Sequence, residues 1–179
     1  MLKSARVALW LALCLAPAWS ATLERLTLDD MIAKSTAIVR GQVTGTATAY
    51  RGTVIYTHFK VNVSEQFKGA AMSTADVLVP GGTVNGIRQT YPGAPQLVVG
   101  QEYVLFLWTS HSGATFTLGF TQGVFTLPKD SSGHVVAVRA PTTETILDPA
   151  TGNPVKDQPI RIPLAQLTTY ISSSLGGSQ

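Results

Sequence analysis

The sequence predicts a mainly β protein: a small β-barrel of five or six strands, with a short helix before it and a C-terminal helix after it. One observation is that apolar and polar residues alternate along residues 55–67, which is typical of a strand with one buried and one solvated face. A second is that segments rich in Gly and Pro separate several short apolar runs. Helical spacing of apolar residues occurs only near the two ends of this region, so we expect a sheet protein flanked by helices.

The N-terminal segment has the three parts of a secretory signal peptide. Lys3 and Arg6 form a short positive region, and an apolar run over residues 7–16 follows. This run is shorter than the about 20 apolar residues that cross a bilayer. Small residues then occupy the positions that a signal peptidase recognises, so we expect cleavage between Ser20 and Ala21.

Removal of residues 1–20 leaves one domain, residues 21–179, which we expect in the periplasm or the extracellular medium. The one cysteine of the chain is Cys14, so the mature protein would have no disulfide, thiol nucleophile or cysteine metal ligand. A lipoprotein would be acylated at Cys14, but Leu13 is larger than the residue expected before such a cysteine.

Loss of the signal peptide also changes the charge of the protein. Of the 13 basic residues two are removed, so 11 remain against 10 acidic ones and the formal net charge falls from +3 to +1. A near-neutral surface argues against nucleic acid as a partner. No second apolar stretch reaches the length of a membrane span, so no stable membrane insertion is expected after signal removal.

The first predicted elements are one helix and three strands. Thr27 precedes two aspartates, which predicts a helix that is capped by Thr27 and ends near Lys34. Strands are predicted over residues 37–43, over the long alternating segment 55–67, and over about 74–79. Lys68 and Gly69 end the second strand, and a Pro-Gly-Gly sequence ends the third.

The remaining elements follow a long Gly- and Pro-rich loop over residues 81–100. The nearly continuous apolar run 102–108 predicts a strand that is covered on both faces. Segments 123–127 and 134–138 flank a turn-like sequence and predict a hairpin. Residues 141–162 are rich in Pro and Thr, so we expect an extended loop. The terminal helix, 163–175, is expected to begin at a proline, and its apolar stripe consists of Leu164, Leu167, Ile171 and Leu175.

Five sequence blocks within residues 31–127 resemble an exported bacterial protein family of unknown function. The blocks are 31–43 (MIAKSTAIVRGQV), 59–61 with 67–69 (FKV, FKG), 79–82 (VPGG), 99–107 (VGQEYVLFL) and 119–125 (GFTQGVF). The same layout is similar to netrin-module and tissue-metalloproteinase-inhibitor domains, so the resemblance implies an OB-like barrel. Inhibitors of that type bind the protease zinc through an N-terminal cysteine, whereas the expected mature N-terminus is Ala21. Protease inhibition is therefore an expectation from fold analogy alone.

The Gly-rich loop after the third predicted strand is the candidate ligand site. Arg88 and Tyr91 lie close to it in sequence, and Tyr50 and Arg51 are the further ligand-binding candidates. Loops on a rigid scaffold often carry binding residues. The segment is not a phosphate loop, because no Lys-Ser or Lys-Thr pair and no helix start follow Gly81-Gly82. The alternative is a wide inter-strand loop with no ligand.

The sequence predicts no catalytic residues, no cofactor site and no metal site. The three histidines, His58, His111 and His134, lack metal-ligand spacing, and we expect them to be exposed surface residues. No Gly-x-Ser-x-Gly nucleophile motif occurs. Glu65 is the charged exception on the apolar face of the long strand. It either meets a basic residue at the rim or marks the point where that face leaves the core, and the second interpretation is favoured.

These observations favour an exported, non-enzymatic binding or accessory domain that acts on a protein partner in the envelope or medium. The alternatives are a hydrolase assembled only in three dimensions, or a protease-inhibitor-like module. A deep pocket holding two or more residues of one set would favour the hydrolase: His58, Glu65, Asp76, Arg88 and Glu102. OB-type nucleic-acid binding would require a basic groove, which the charge balance does not favour. The identity of the partner and the oligomeric state are left open.

Overall fold

A computed structural model describes residues 22–176, of which 48% are strand and 15% helix, so the predicted mainly β class is confirmed. The predicted signal peptide and its cleavage residues, Ser20 and Ala21, lie outside the described residues. Within residues 22–176 there are thirteen strands in three sheets. The prediction of five or six strands was too low, because the expected loops contain short strands.

The strands are β1 (Thr22–Glu24), β2 (Ala37–Arg51), β3 (Val54–Lys68), β4 (Thr74–Pro80), β5 (Gly82–Val84), β6 (Ile87–Gln89), β7 (Glu102–Thr109), β8 (Thr115–Thr117), β9 (Val124–Thr126), β10 (Val136–Arg139), β11 (Thr145–Leu147), β12 (Pro154–Val155) and β13 (Ile160–Pro163). The helices are α1 (Leu28–Lys34) and α2 (Leu164–Gly176), and a 3-10 helix covers Phe120–Gly123. None of the helices in residues 22–176 has the length and apolar character needed to cross a bilayer.

Helix α1 begins where the sequence predicted. The Thr27 hydroxyl accepts a hydrogen bond from the backbone N–H of Asp30, and the Asp30 carboxylate accepts one from the backbone N–H of Thr27, at 3.1 and 3.0 Å. The Thr27 hydroxyl also donates to the same carboxylate. The hydroxyl and backbone hydrogen bonds that this carboxylate accepts from Thr27 lower the pKa of Asp30 below its usual value. Met31 and Ile32 are buried, so the capping box fixes the helix with its apolar side in the core.

Strands β2 and β3 form a long hairpin whose alternation agrees with the sequence pattern. Ile55, Phe59 and Val61 on β3 are buried, as predicted. Three register shifts interrupt the pairing of the two strands, and such bulges bend a hairpin. β2 continues to Arg51, well past the predicted end at residue 43. The prediction missed this extension because most of its side chains are small or polar and exposed, so no buried face marks them as a strand.

The main sheet has eight strands in the order β13-β10-β9-β7-β2-β3-β4-β8. The sheet is mixed, because β4 and β8 run parallel while their neighbours are antiparallel. β8 also pairs with β7, and β7 pairs with β2. Hydrogen bonds therefore connect five strands in succession and return to the first: β2, β3, β4, β8 and β7. Strands β9, β10 and β13 extend the sheet from β7. β5 and β6 form a separate hairpin, and β1, β11 and β12 form a third sheet.

Two clusters of buried side chains form the core. The first core cluster comprises Ala37, Val39, Val43, Phe59, Val61, Ala75, Val77, Val79, Leu97, Tyr103, Leu105 and Leu107. The second comprises Leu26, Met31, Ile32, Ile38, Val104, Phe106, Phe125, Ala137, Leu164, Leu167 and Ile171, and it includes side chains of both helices. Side chains of β7 alternate between the two clusters. The prediction that this strand is covered on both faces is therefore confirmed for Tyr103 to Leu107, whereas Trp108 at its end is exposed.

Two predicted loops contain regular structure. Residues 81–100 hold the β5–β6 hairpin, whose turn residues Asn85 and Gly86 have φ of 49° and 78°. Asn-Gly is a strong two-residue hairpin signal, so this turn was readable from the sequence. The prediction that residues 141–162 form an extended loop was wrong in part, because β11, β12 and most of β13 lie there. β11 and β13 pair with strands distant in sequence, β1 and β10, which local composition does not reveal.

The C-terminal part of the fold agrees with the sequence prediction. β9 and β10 pair as the predicted hairpin, with Val138 opposite Thr126. Helix α2 begins at Leu164, one residue later than predicted, because Pro163 is the last residue of β13. Leu167 and Ile171 of the predicted stripe are fully buried.

Candidate functional site

Four side chains form a row across four strands on the side opposite the first core cluster. The row comprises His58 of β3, Leu78 of β4, Phe116 of β8 and Trp108 of β7, which are cross-strand partners in succession. Cross-strand partners share one face of a sheet, and consecutive residues point to opposite faces. The chain neighbours Val77 and Leu107 belong to the first core cluster, so the row lies on the other face. We call this surface the outer face.

Aromatic side chains create an apolar depression on the outer face, here called the aromatic pocket. The ring of Phe116 lies 6.0 Å from that of Tyr56 and 6.2 Å from that of Trp108, measured between centroids. The pocket has a volume of about 440 Å³, and Leu78 also lines it. Trp108 is 41% exposed. A large aromatic side chain that is left open to solvent beside an apolar depression is typical of an interaction surface.

A second depression, the His58 groove, adjoins the aromatic pocket on the same face. Its β2 wall is low because Gly45, Ala47 and Ala49 carry little or no side chain, and His58 with Asp76 lies on its other side. The groove has a volume of about 580 Å³ and is open to solvent. His58 Nδ1 and Asp76 Oδ2 are 2.9 Å apart. His58 is therefore half-buried and partnered, which corrects the expectation of a simple exposed histidine.

The five residues considered for a hydrolase do not share one pocket: His58 and Asp76 form one pair, Glu65 and Glu102 meet around Arg40, and Arg88 lies in a third place. His58 and Asp76 share the open groove. Glu102 instead pairs with Arg40 at 2.8 Å, and the Glu65 carboxylate lies 3.8 Å from the same guanidinium. The Glu65 side chain meets the basic residue Arg40, as the first interpretation expected. It is also 47% exposed, so the apolar face of the strand has left the core at this position, as the second interpretation expected.

The residues predicted to bind a ligand fall into two groups. Arg88 and Tyr91 line a cavity of about 270 Å³, here called the Arg88 pocket. Tyr50 and Arg51 do not line it: Tyr50 is 43% exposed at the end of β2, and the Arg51 guanidinium donates a hydrogen bond to the Ser112 hydroxyl at 2.8 Å. The structure therefore brings two of these four candidates together in one cavity and leaves the other two outside it.

Sequence reasoning did not identify the outer-face aromatics as a site. Trp108 was considered part of a buried apolar strand, and Phe116 lies in a three-residue strand that was not predicted. Tyr56 could have revealed this site, because it lies on the predicted polar face of β3. An aromatic residue on a solvated strand face is a candidate contact residue.

Among residues 22–176, no group of three or more His, Cys, Asp or Glu side chains could hold a metal ion. Comparison with models of protein families and with curated proteins finds no match to the chain.

Proposed function

We propose that the protein is an exported, non-enzymatic binding domain that docks a protein partner on the outer face. The row His58-Leu78-Phe116-Trp108 carries this proposal, because it joins the aromatic pocket and the His58 groove into one surface. Trp and Tyr are enriched among the residues that dominate protein–protein binding energy. Protein is favoured over nucleic acid as the partner, because the ionised side chains lining the two depressions, Lys60 and Asp76, offset one another.

The strand pairing supports the further proposal of an OB-like barrel. The five strands β2, β3, β4, β8 and β7 are paired in a ring, with one parallel contact between β4 and β8. In OB-folds the face over the second and third strands binds ligands. The outer face includes β3 and β4, which are the second and third strands of this ring, so the proposed fold and the proposed site agree.

The experiment that tests the partner is site-specific photo-crosslinking in the cells that make the protein. A photoreactive amino acid replaces Trp108, and the matched control replaces Tyr170, which is 39% exposed on α2. We expect a discrete crosslinked species at position 108 that is absent at position 170, with the partner identified by mass spectrometry. Identical adducts at both positions, or none at either, would contradict the proposal. A protease as the partner would favour the protease-inhibitor-like alternative.

Export is tested separately by measuring the mass of the protein that is recovered from the envelope or medium. We expect a chain that begins at Ala21. Replacement of Ser20 by a large residue should block cleavage, because the peptidase accepts small residues at this position. Protein retained in the cytoplasm with Met1 attached would refute export without bearing on the outer face.

A hydrolase is the second candidate function, and the His58–Asp76 contact favours it. An aspartate bonded to histidine Nδ1 leaves Nε2 available as a general base, the relation seen in serine hydrolases. The purified protein should be assayed with activated esters and with a peptide library, beside His58→Gln. Turnover that is lost in His58→Gln but kept in His134→Gln would replace the binding proposal with an enzymatic one.

A further inference from the structure

We infer that the Arg88 pocket is a separate site that binds a small organic anion, a carboxylate carried on an apolar group. The inference is independent of the proposed partner on the outer face. Four polar side chains line one cavity and make no hydrogen bond with one another: Arg88, Thr90, Tyr91 and Gln96. Within residues 22–176 none of these four side chains has a hydrogen-bond or ion-pair partner.

The floor of the cavity is apolar. Phe59 and Val79, both members of the first core cluster, line it beside the polar rim. Ligand pockets typically combine such an apolar lining with a few convergent polar groups, and they range upward from about 300 Å³. The volume of about 270 Å³ therefore restricts the occupant to a small molecule or to the end of a chain.

The wall that carries Arg88 is held in place before any ligand binds. The neighbouring Gln89 side chain accepts a hydrogen bond from the backbone N–H of Ile55 at 2.7 Å and donates one to the carbonyl of Thr53 at 3.0 Å. The Thr57 hydroxyl donates to the carbonyl of Gly81 at 2.8 Å. These bonds fasten the β5–β6 hairpin to the end of the β2–β3 hairpin. A preformed wall lowers the entropic cost of binding.

Gly82 lets the hairpin approach this closely. Its φ is 134°, which side-chain-bearing residues rarely adopt, and a Cβ atom there would lie 2.8 Å from side-chain atoms of Thr48 and Thr57. The backbone of β5 therefore rests directly on β2 and β3. This close approach shapes one side of the cavity.

The charge of the lining selects the ligand. Arg88 is the one ionised side chain among the lining residues, and no carboxylate faces it there. A guanidinium binds a carboxylate through two parallel hydrogen bonds. Tyr91 and Gln96 can donate further bonds to the same oxygens, while Phe59 and Val79 accept an apolar group. A free organic acid and the C-terminus of a peptide both present this chemistry.

The test is an NMR titration of the isotope-labelled protein with three probes. N-acetyl-leucine represents a peptide end, isocaproate a free acid, and N-acetyl-leucinamide is the uncharged match of the first. We expect saturable shifts of the Gly81, Gly82 and Gln89 amides with one or both anions and none with the amide probe. Arg88→Gln should weaken binding about tenfold or more, because hydrogen bonds to charged groups are lost.

Two further variants separate the site from general effects. Arg88→Lys keeps the charge and should bind more tightly than Arg88→Gln but less tightly than the wild type. Arg161→Gln removes an exposed arginine on β13, outside the pocket, and should bind like the wild type. Preference for N-acetyl-leucine over isocaproate assigns the site to peptide ends, and the reverse preference assigns it to free acids. Absence of saturable shifts with both anions at millimolar concentration, or wild-type affinity in Arg88→Gln, would overturn the inference.

Discussion

Arg139 and Asp157 form a buried ion pair with two parallel hydrogen bonds. Nη1 and Nη2 of Arg139 lie 3.0 and 2.9 Å from the two carboxylate oxygens, and each side chain is only 5% exposed. The Asp157 carboxylate also accepts the backbone N–H of Thr142 at 2.8 Å. Arg139 is on β10, whereas Asp157 lies between β12 and β13. The pair therefore fastens the long segment after β10 to the main sheet.

Replacement of Asp157 by alanine should strongly destabilise the protein. It leaves the buried Arg139 charge without a carboxylate, with only the Gln158 carbonyl as an acceptor, and breaking a buried ion pair in this way typically costs about 3–5 kcal/mol. The free energy of unfolding in urea measures the effect. The matched control is Glu24→Gln, because the Lys34–Glu24 pair, 3.1 Å long, is about half exposed on both sides and should contribute about 0–1 kcal/mol. Equal losses in the two variants would show that burial does not decide the strength of these pairs.

The same carboxylate should make stability depend on pH in the acid range. Burial alone would raise the pKa of Asp157, but the Arg139 hydrogen bond and charge and the Thr142 N–H together hold it below the usual 3.8. A lowered folded-state pKa contributes stability that is present above the unfolded pKa and is lost as the pH falls through the folded value. Below pH 3.8, the difference in unfolding free energy between the wild type and Asp157→Asn should therefore shrink. A difference that stays constant down to acid pH would contradict this assignment.

Gln122 should be essential for holding β1 against the body of the protein. Its side chain is 1% exposed, accepts the backbone N–H of Leu26 and donates to the carbonyl of Glu24, both at 2.9 Å. Gln122→Ala leaves the buried N–H of Leu26 unpaired, at about 1–3 kcal/mol, and also removes the part-buried bond to the carbonyl of Glu24. The specific measurement is hydrogen exchange of the Leu26 amide, which should be faster in Gln122→Ala than in the wild type.

The neighbour Thr121 provides the control for that prediction. Its buried hydroxyl has no partner within residues 22–176. Thr121→Val removes a buried polar group without breaking a bond and should leave stability unchanged or slightly higher. If Thr121→Val is as harmful as Gln122→Ala, packing of the 3-10 helix rather than the amide bonds holds this region.

Two aromatic residues on β7 should respond in opposite ways to truncation. Phe106 is fully buried, with its ring centroid 5.5 Å from that of Phe125, so Phe106→Ala should cost about 3–5 kcal/mol. Trp108 is 41% exposed, and Trp108→Ala should cost far less in unfolding free energy, although it removes the ring on which the proposed partner docks. Thermal unfolding compares the two variants. A loss at Trp108 as large as that at Phe106 would indicate a structural role for the tryptophan.

The sequence predicted the elements whose signal is local. β3 and β7 were identified from apolar patterning, α1 from a capping residue followed by acidic residues, and α2 from its apolar stripe. β8 and β11 were missed because they are three residues long, and their pairing with β4 and β1 joins segments far apart in the chain. Short strands of this kind are stabilised by their partners rather than by their own residues.

Patterns among residues close together in the chain were enough to predict the class of the fold, the buried strands, and Arg88 and Tyr91 as candidates for one ligand site. The folded sheet alone shows that one surface is shared by five further side chains: Tyr56, His58, Asp76, Trp108 and Phe116. Each of these side chains is unremarkable on its own strand. Strand register brings them together. Register depends on hydrogen bonds between segments that are distant in the chain, and local sequence patterns do not show which segments will pair.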